Sequence, residues 1–236
     1  MDANGQIAST LDPAMPLSPI SATTAPQSRW YSLSYALHVV VALADCWRHS
    51  GDLGLVQDLW SAVTGQLSWA HSLVNADGLL VTDSNTGMDW HPQFGGALVG
   101  QVSVFNVVYV KALQDAAAMA TALGDTALAA SYTTRASAAR TGLGSVLFNT
   151  TTGVYDISTS LTGTVAQDSN ALAVLWGVAD DSRASAMLDR LASSLTTASG
   201  HRAFSTDTGW GSVISPMVSG FEVGALFRAG RASEAL

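Results

Sequence analysis

The hydrophobic pattern of the chain consists of long apolar runs at helical spacing, and these runs come in pairs. In each pair the first run ends at a glycine and a second run follows at once, at Gly51, Gly124, Gly177 and Gly230. Glycine suits the left-handed backbone position just after a helix end, and a following aspartate can cap the next helix. The pattern therefore predicts tight helical hairpins, at spacings of 73, 53 and 53 residues.

The two runs of a pair differ in how far the apolar surface extends around the helix. The first runs, at residues 32–44, 102–113 and 170–179, are apolar nearly all round, as is typical of helices buried on most sides. The second runs carry a single apolar stripe, which in the first hairpin comprises Leu55, Leu59, Val63, Leu67 and Val74. Inner helices with outer partners predict an all-α fold, either an α/α barrel or a solenoid.

Longer connections rich in turn residues join one hairpin to the next. They cover roughly residues 75–96, 148–166 and 197–215, and short strands are predicted within them at 78–82 and 153–159. Each connection leads from an outer helix to the next inner one, so we expect all of them at one end of the array. In helical repeat folds function tends to collect where loops converge.

The length and the two ends of the chain bear on its domain organisation. A chain of 236 residues suits one domain, with residues 1–29 as an irregular lead-in and residues 30–236 as the helical part. Only six residues follow Gly230, too few for a stable second helix, and no helix precedes the lead-in. We therefore expect this chain to be part of a larger domain, truncated at its carboxyl end.

Composition and charge exclude several classes of function. Charged residues make up 12% of the chain and the net charge is −8, so no basic surface is available for a nucleic-acid partner. No apolar run reaches the ~18–20 residues of a membrane span, and the first residues do not resemble a signal peptide. A glycosylation sequon at Asn149 is compatible with secretion of a longer parent protein, but it leaves the localisation open. The sequence does not indicate an oligomeric state.

Metal and cofactor chemistry find no support in the sequence. The histidines lack the spacing of metal ligands, and no glycine-rich phosphate loop follows a strand. The one cysteine, Cys46, rules out an internal disulfide and a site built on several thiolates. We interpret Cys46 as a small buried residue on a helix, and we predict neither a metal nor a cofactor.

The segment GMDWHPQFGG, residues 87–96, stands out because it fits neither a helix nor a strand. Its Asp89 and Trp90 place a carboxylate beside an indole, which suits a sugar whose hydroxyls need acceptors and whose ring needs an apolar face. Alternatively, Asp89 caps the next helix and Trp90 covers the core. His91 binds a hydroxyl, moves protons, or orders the loop ahead of Pro92.

Other candidate residues occupy equivalent positions before or within the inner helices. Trp30 precedes the first inner helix and Trp210 the fourth, so aromatic residues recur in three of four matching loops. They suit a carbohydrate pocket, although a hydrophobic staple that closes the end of a barrel gives the same pattern. Asp168 either caps the third inner helix or contacts the ligand. Glu222, a lone acid in an apolar helix, either pairs structurally or keeps its proton more tightly than usual.

Six segments in this order resemble the six-hairpin barrel of α-L-rhamnosidases, glycoside hydrolase family 78, and the resemblance spans about residues 3–236. The segments are residues 34–52, 78–83, 89–90, 105–125, 167–179 and 214–236. The resemblance implies an (α/α)6 barrel, present here as an incomplete toroid. It also implies hydrolysis of terminal α-L-rhamnose with inversion, by an acidic general acid and a glutamate base.

The resemblance also says which residues the site would use. Trp90 and Asp89 match the wall of the family's sugar pocket, whereas the general acid precedes the segment matched by residues 2–10 and the base follows residue 236. No catalytic residue is therefore assigned, and we expect the chain to be inactive alone. Ser34 stands where relatives carry an acid, which removes a charge from the sugar site. The alternatives are a non-catalytic carbohydrate-binding or scaffold protein and another hydrolase of the six-hairpin class.

Overall fold

The computed structural model describes residues 33–83, 98–205 and 213–235. The helices in these ranges are α1 (Leu33–Ser50), α2 (Leu53–His71), α3 (Ser103–Ala122), α4 (Thr126–Gly142), α5 (Gln167–Leu175), α6 (Asp181–Leu195), α7 (Pro216–Arg228) and α8 (Ala232–Ala235). The strands have two residues each: β1 (Val81–Thr82), β2 (Gly100–Gln101), β3 (Phe148–Asn149), β4 (Val154–Tyr155), β5 (Thr196–Thr197) and β6 (Gly200–His201). The all-α fold class is confirmed.

Glycine ends the first helix of each hairpin, as the sequence predicts. The four glycines at these ends have φ between 66° and 86°, and they are Gly51, Gly124, Gly177 and Gly230. A residue with a side chain would be strained in this left-handed conformation. Asp52 then caps α2 by accepting a hydrogen bond of 3.0 Å from the backbone N–H of Leu55, which satisfies one of the free N–H groups at the start of that helix.

The chain divides into two compact units. One comprises residues 1–99 and 108–139, and the other comprises residues 100–107 and 140–236. In the first unit α1 packs against α2, and in the second α5 packs against both α6 and α7. A Cβ added to Gly224 on α7 would lie 3.0 Å from Leu175 on α5, so the glycine allows these two helices to approach closely.

Two of the predicted inner helices are buried nearly all round. Every residue from 102 to 110 at the start of α3 is buried, and so is every residue from 167 to 174 on α5. α1 departs from the prediction because its Val39 is 43% exposed and its burial ends at Ala44. Cys46 lies beyond that point and is exposed, so the interpretation of Cys46 as a buried residue is wrong.

The buried stripe of α2 differs in part from the predicted one. Leu59 is 42% exposed, and Trp60, one position on, is half-buried at that turn. The stripe that faces the core comprises Val56, Val63, Leu67 and Ala70. An α-helix has 3.6 residues per turn, so either residue 59 or residue 60 can face inward one turn after residue 56. The sequence spacing predicted Leu59, and that prediction is wrong.

The predicted strands are present but shorter than their sequence segments. β1 occupies only residues 81–82 of the segment at 78–82, and β4 only residues 154–155 of the segment at 153–159. β4 pairs with β3 in an antiparallel hairpin, and β5 pairs with β6 in a second one that the sequence did not predict. Within the described ranges, no helix combines the length and the apolarity needed to cross a membrane.

Burial of Tyr109 on α3 predicts a loss of stability at alkaline pH. Tyr109 is 1% exposed, its hydroxyl lies 3.2 Å from Nδ1 of His71, and burial raises the pKa of the phenol to about 12. Because an unfolded tyrosine titrates near 10, this contribution is complete below pH 10 and falls as the pH rises towards 12. We expect it to lower the free energy of unfolding by roughly 1.4 kcal/mol between pH 9 and pH 11. Urea unfolding at both pH values should show a smaller fall for Tyr109→Phe; an equal fall would contradict this assignment.

Candidate functional site

Four consecutive polar residues open α5, and all four are buried. Gln167, Asp168, Ser169 and Asn170 are between 0% and 7% exposed. The helix begins after Ala166, whose side chain cannot cap it. Buried polar groups are costly unless they have hydrogen-bond partners, so the contacts of these side chains define what this end of the helix is for.

Gln167 joins α5 to an acidic residue on α7. Its Nε2 donates a hydrogen bond of 2.7 Å to Oε2 of Glu222, which is only 5% exposed. Nδ1 of His201, on β6, lies 2.9 Å from both carboxylate oxygens of Glu222. Glu222 is therefore paired with Gln167 and His201, as the first of its two sequence-based alternatives predicted.

The ring of His201 has oxygen atoms on both sides. Its Nε2 lies 2.9 Å from the hydroxyl of Thr196, and that hydroxyl donates its single proton to the carbonyl of Ala192 at 2.6 Å. Both ring nitrogens of His201 therefore have an oxygen atom within hydrogen-bond distance.

Two buried oxygen atoms at this end of α5 have no hydrogen-bond partner among the described residues. They are Oε1 of Gln167 and Oγ of Ser169, whose residues are 0% and 1% exposed. A buried polar atom without a hydrogen-bond partner lowers the stability of the fold by about 1–3 kcal/mol. Each of these two atoms could therefore bind a water molecule or a ligand hydroxyl favourably. We refer to Gln167, Asp168, Ser169, His201 and Glu222 as the α5 cluster.

Asn170 faces away from the α5 cluster and has a structural role. Its Oδ1 accepts a hydrogen bond of 2.8 Å from the backbone N–H of Tyr155, and its Nδ2 donates to the carbonyl of the same residue at 3.1 Å. Asp156, next along the chain, accepts from the side-chain amide of Asn149 at 3.1 Å and from the backbone N–H of Gly163 at 2.7 Å. These bonds fasten the β3–β4 hairpin to α5, and they engage the amide of the predicted sequon.

Asp168 is the one predicted sugar-contacting residue that the structure describes. Its alternative role as a helix cap is wrong, because the N-cap is Ala166 and Asp168 is the second residue of α5. Its Oδ1 accepts from the backbone N–H of Ser169 at 2.6 Å, and the side chain remains within the buried end of the helix. The predicted site residues outside the described residues are Trp30, Asp89, Trp90, His91 and Trp210.

Sequence reasoning missed Gln167, Ser169 and His201 as members of a polar cluster. The available signal was the polar segment QDSN, which directly precedes the apolar part of α5.

Ser34, predicted to differ from the acid that relatives carry, is 2% exposed in the first turn of α1. Its carbonyl lies 2.7 Å from Nδ1 of His38, and burial lowers the pKa of that histidine, which favours the neutral ring.

Three solved structures that share this fold are glycoside hydrolases. The chain superposes on the rhamnosidase from Klebsiella oxytoca with rhamnose bound, with a TM-score of 0.74 and 17% identity over 98% of this chain and 40% of that one. It also superposes on the family GH78 rhamnosidase of Bacillus sp. GL1, with a TM-score of 0.68 and 23% identity over 86% of this chain and 20% of that one. A third match is the GH63 mannosylglycerate hydrolase from Thermus thermophilus in complex with Tris, with a TM-score of 0.64 and 12% identity over 89% and 68% of the two chains. At these identities the likeness shows the shared fold.

The family follows from the sequence itself. Residues 4–212 match the model of the bacterial alpha-L-rhamnosidase six-hairpin glycosidase domain, and the chain belongs to that family. No curated protein sequence matches it significantly. The chain spans 40% and 20% of the lengths of the two rhamnosidases. The chain is therefore glycoside hydrolase-like, and the resemblance to a six-hairpin glycosidase that the sequence predicted is confirmed.

Proposed function

We propose that this chain binds the terminal α-L-rhamnose of a glycoside. It would thereby supply sugar contacts for an inverting glycoside hydrolase reaction. The observation that carries the proposal is the match of residues 4–212 to the rhamnosidase domain family. A solved relative in fold has rhamnose bound, which supports a sugar of this kind as the ligand. We assign the sugar contacts to Trp30, Asp89, Trp90, His91, Asp168 and Trp210.

The α5 cluster supports the proposal through the chemistry of its atoms. A sugar hydroxyl both donates and accepts hydrogen bonds, so a sugar site needs carboxylate, amide and hydroxyl groups close together. Asp168 provides the carboxylate, next to the unpaired Oε1 of Gln167 and the unpaired Oγ of Ser169 among the described residues. The ordered pair of Glu222 and His201 holds Gln167 in place from the side of α7.

We further propose that the general acid and the general base are not among the described carboxylates near α5. Inversion requires two carboxyl groups roughly 6.5–9.5 Å apart, with a water molecule between them. Glu222 is paired with His201 and Gln167, and Asp156 accepts hydrogen bonds from the side chain of Asn149 on β3 and from the backbone N–H of Gly163. Carboxylates engaged in this way are poorly placed to exchange protons with a substrate.

The 236-residue chain should therefore bind L-rhamnose without hydrolysing rhamnosides. Isothermal titration with L-rhamnose should give a saturable signal, and both Trp90→Ala and Asp168→Asn should weaken it by about tenfold, as expected for a lost stacking contact or charged hydrogen bond. Release of 4-nitrophenol from its α-L-rhamnoside should not exceed that of heat-denatured protein, because general acid catalysis contributes typically ~10²–10⁴-fold.

Asp181→Asn is the matched control for the carboxylate at Asp168. Asp181 also lies in the first turn of a helix, but its side chain is 91% exposed and bonds to Arg228 at 3.2 Å, so rhamnose binding should not change. Rhamnose binding that is absent, or that survives in both Trp90→Ala and Asp168→Asn, would contradict the proposed site. Hydrolysis that disappears in Asp168→Asn would instead place a catalytic carboxylate on α5.

A further inference from the structure

A polar cavity of about 390 Å³ lies in the second unit between the end of α4 and the start of α6. Small-molecule pockets in proteins span roughly 300–1,000 Å³, so this cavity has the size for one ring-sized ligand. It shares no lining residue with the α5 cluster. The polar residues that line it are Arg140, Thr141, Ser145, Tyr155, Asp180 and Arg183.

Arg183 is held by stacking and makes no side-chain hydrogen bond to the part of the chain that the structure describes. Its guanidinium carbon lies 4.3 Å from the ring centre of Phe148, and that ring meets Tyr155 edge-on with 5.5 Å between centres. Stacking fixes the plane of a guanidinium but leaves the N–H groups on its edge free. Two parallel N–H groups on that edge can donate to two oxygens of a carboxylate or a phosphate at the same time.

Arg140 supplies a second positive charge on the same cavity. Its Nη2 donates to Asp180 at 2.8 Å, but the two side chains are 42% and 58% exposed, so this surface pair is weak and can give way to a ligand. Two arginines and one aspartate leave the lining positive, although the net charge of the whole chain is −8.

The wall between the two arginines has unusual backbone geometry. Gly144 and Ser145 belong to one turn of π-helix, Leu143–Leu147, that follows α4. Turns of this kind are rare, and they occur frequently at functional sites. Thr141, Ser145 and Tyr155 bring three hydroxyl-bearing side chains to the cavity, and burial raises the pKa of Tyr155 so that its phenol remains a donor.

We propose that this cavity binds a monosaccharide that carries a carboxylate or a phosphate group. Arg183 takes the anionic group on the edge of its guanidinium, Arg140 adds the second cation, and the hydroxyl-bearing residues bond to the sugar ring. The proposal depends on neither rhamnose binding nor hydrolysis, because it uses another set of side chains.

Isothermal titrations of the full chain with D-glucuronate, glucose 6-phosphate, D-glucose and inorganic phosphate test the proposal. At least one of the two anionic sugars should bind saturably, and more tightly than either glucose or phosphate. Arg183→Gln should weaken that binding by about tenfold or more, as expected for the loss of a charged bidentate contact, and Arg183→Lys should weaken it less. Arg190→Gln, at an exposed arginine later on α6, is the matched control and should bind as the wild type does.

Each remaining outcome overturns the proposal. Binding of phosphate as tight as that of the sugar phosphate would show an anion site with no sugar specificity. Equal binding by the Arg183→Gln and Arg190→Gln variants would show that the ligand does not occupy this cavity, as would the absence of saturation by both anionic sugars. Rhamnose binding should be unchanged in Arg183→Gln, so this proposal and the proposed function can fail separately.

Discussion

Replacing Glu222 with alanine should lower the free energy of unfolding by about 2–4 kcal/mol, the range expected when a buried charged hydrogen-bond partner is removed. Glu222 is 5% exposed, and it accepts bonds from Gln167 at 2.7 Å and from His201 at 2.9 Å. Without it, the amide of Gln167 retains only a long contact of 3.5 Å to Ser219. Nδ1 of His201 loses its carboxylate partner as well. Urea unfolding followed by circular dichroism measures the loss.

Glu222→Gln separates the effect of the charge from that of the hydrogen bonds. A glutamine can still accept from Nε2 of Gln167, and its own amide can donate to Oε1 of Gln167, which has no partner among the described residues. We therefore expect Glu222→Gln to lose less than half as much stability as Glu222→Ala. If both variants are equally destabilised, the contact between the Glu222 carboxylate and His201 dominates, and the double variant Glu222→Gln/His201→Ala should then cost little more than Glu222→Gln alone.

The hairpins could be predicted because their signals are local. The left-handed φ at Gly124 requires only the glycine itself, and Asp125 caps the following helix by accepting from a backbone N–H three residues away. Where two neighbouring residues compete for one position the local signal fails, as it does on α2, where Leu59 is exposed and Trp60 is half-buried. Cys46 was misplaced for a related reason, because no local pattern shows where the buried part of α1 ends.

The candidate site could be predicted only in part, because its bonds link residues that are distant in sequence. Asp168 was predicted as a sugar contact from its position ahead of an apolar helix, and that contact stays a prediction. The bond between Gln167 and Glu222 spans 55 residues, and the bond between His201 and Glu222 spans 21. α5 also begins earlier than its apolar pattern, because tertiary partners satisfy polar side chains that an isolated helix would leave exposed to solvent. No periodicity in the sequence contains that information.

The second large effect is expected at Asp115 on α3, in the first unit. Asp115 is 1% exposed, and its Oδ1 accepts bonds from Lys111 at 2.7 Å and from Arg48 on α1. Asp115→Ala should cost about 3 kcal/mol, because it leaves two cations facing each other next to the core. This loss in the free energy of unfolding is at the lower end for a broken buried ion pair. The reason is that the side chains of Lys111 and Arg48 are 16% and 37% exposed and can reach water.

Asp45→Ala provides the matched control, because Asp45 bonds to the same arginine at 2.9 Å but is 55% exposed. Its loss should cost about 0.2–1 kcal/mol, as surface ion pairs do. Hydrogen exchange of α1 and α3 should accelerate in Asp115→Ala and change little in Asp45→Ala. Equal effects of the two substitutions would show that burial adds nothing to this ion pair.

A triple variant, Arg48→Met/Lys111→Met/Asp115→Leu, should recover most of the stability that Asp115→Ala loses, because well-packed apolar residues can replace a buried ion network. The network would then serve to align α1 with α3 rather than to stabilise the fold.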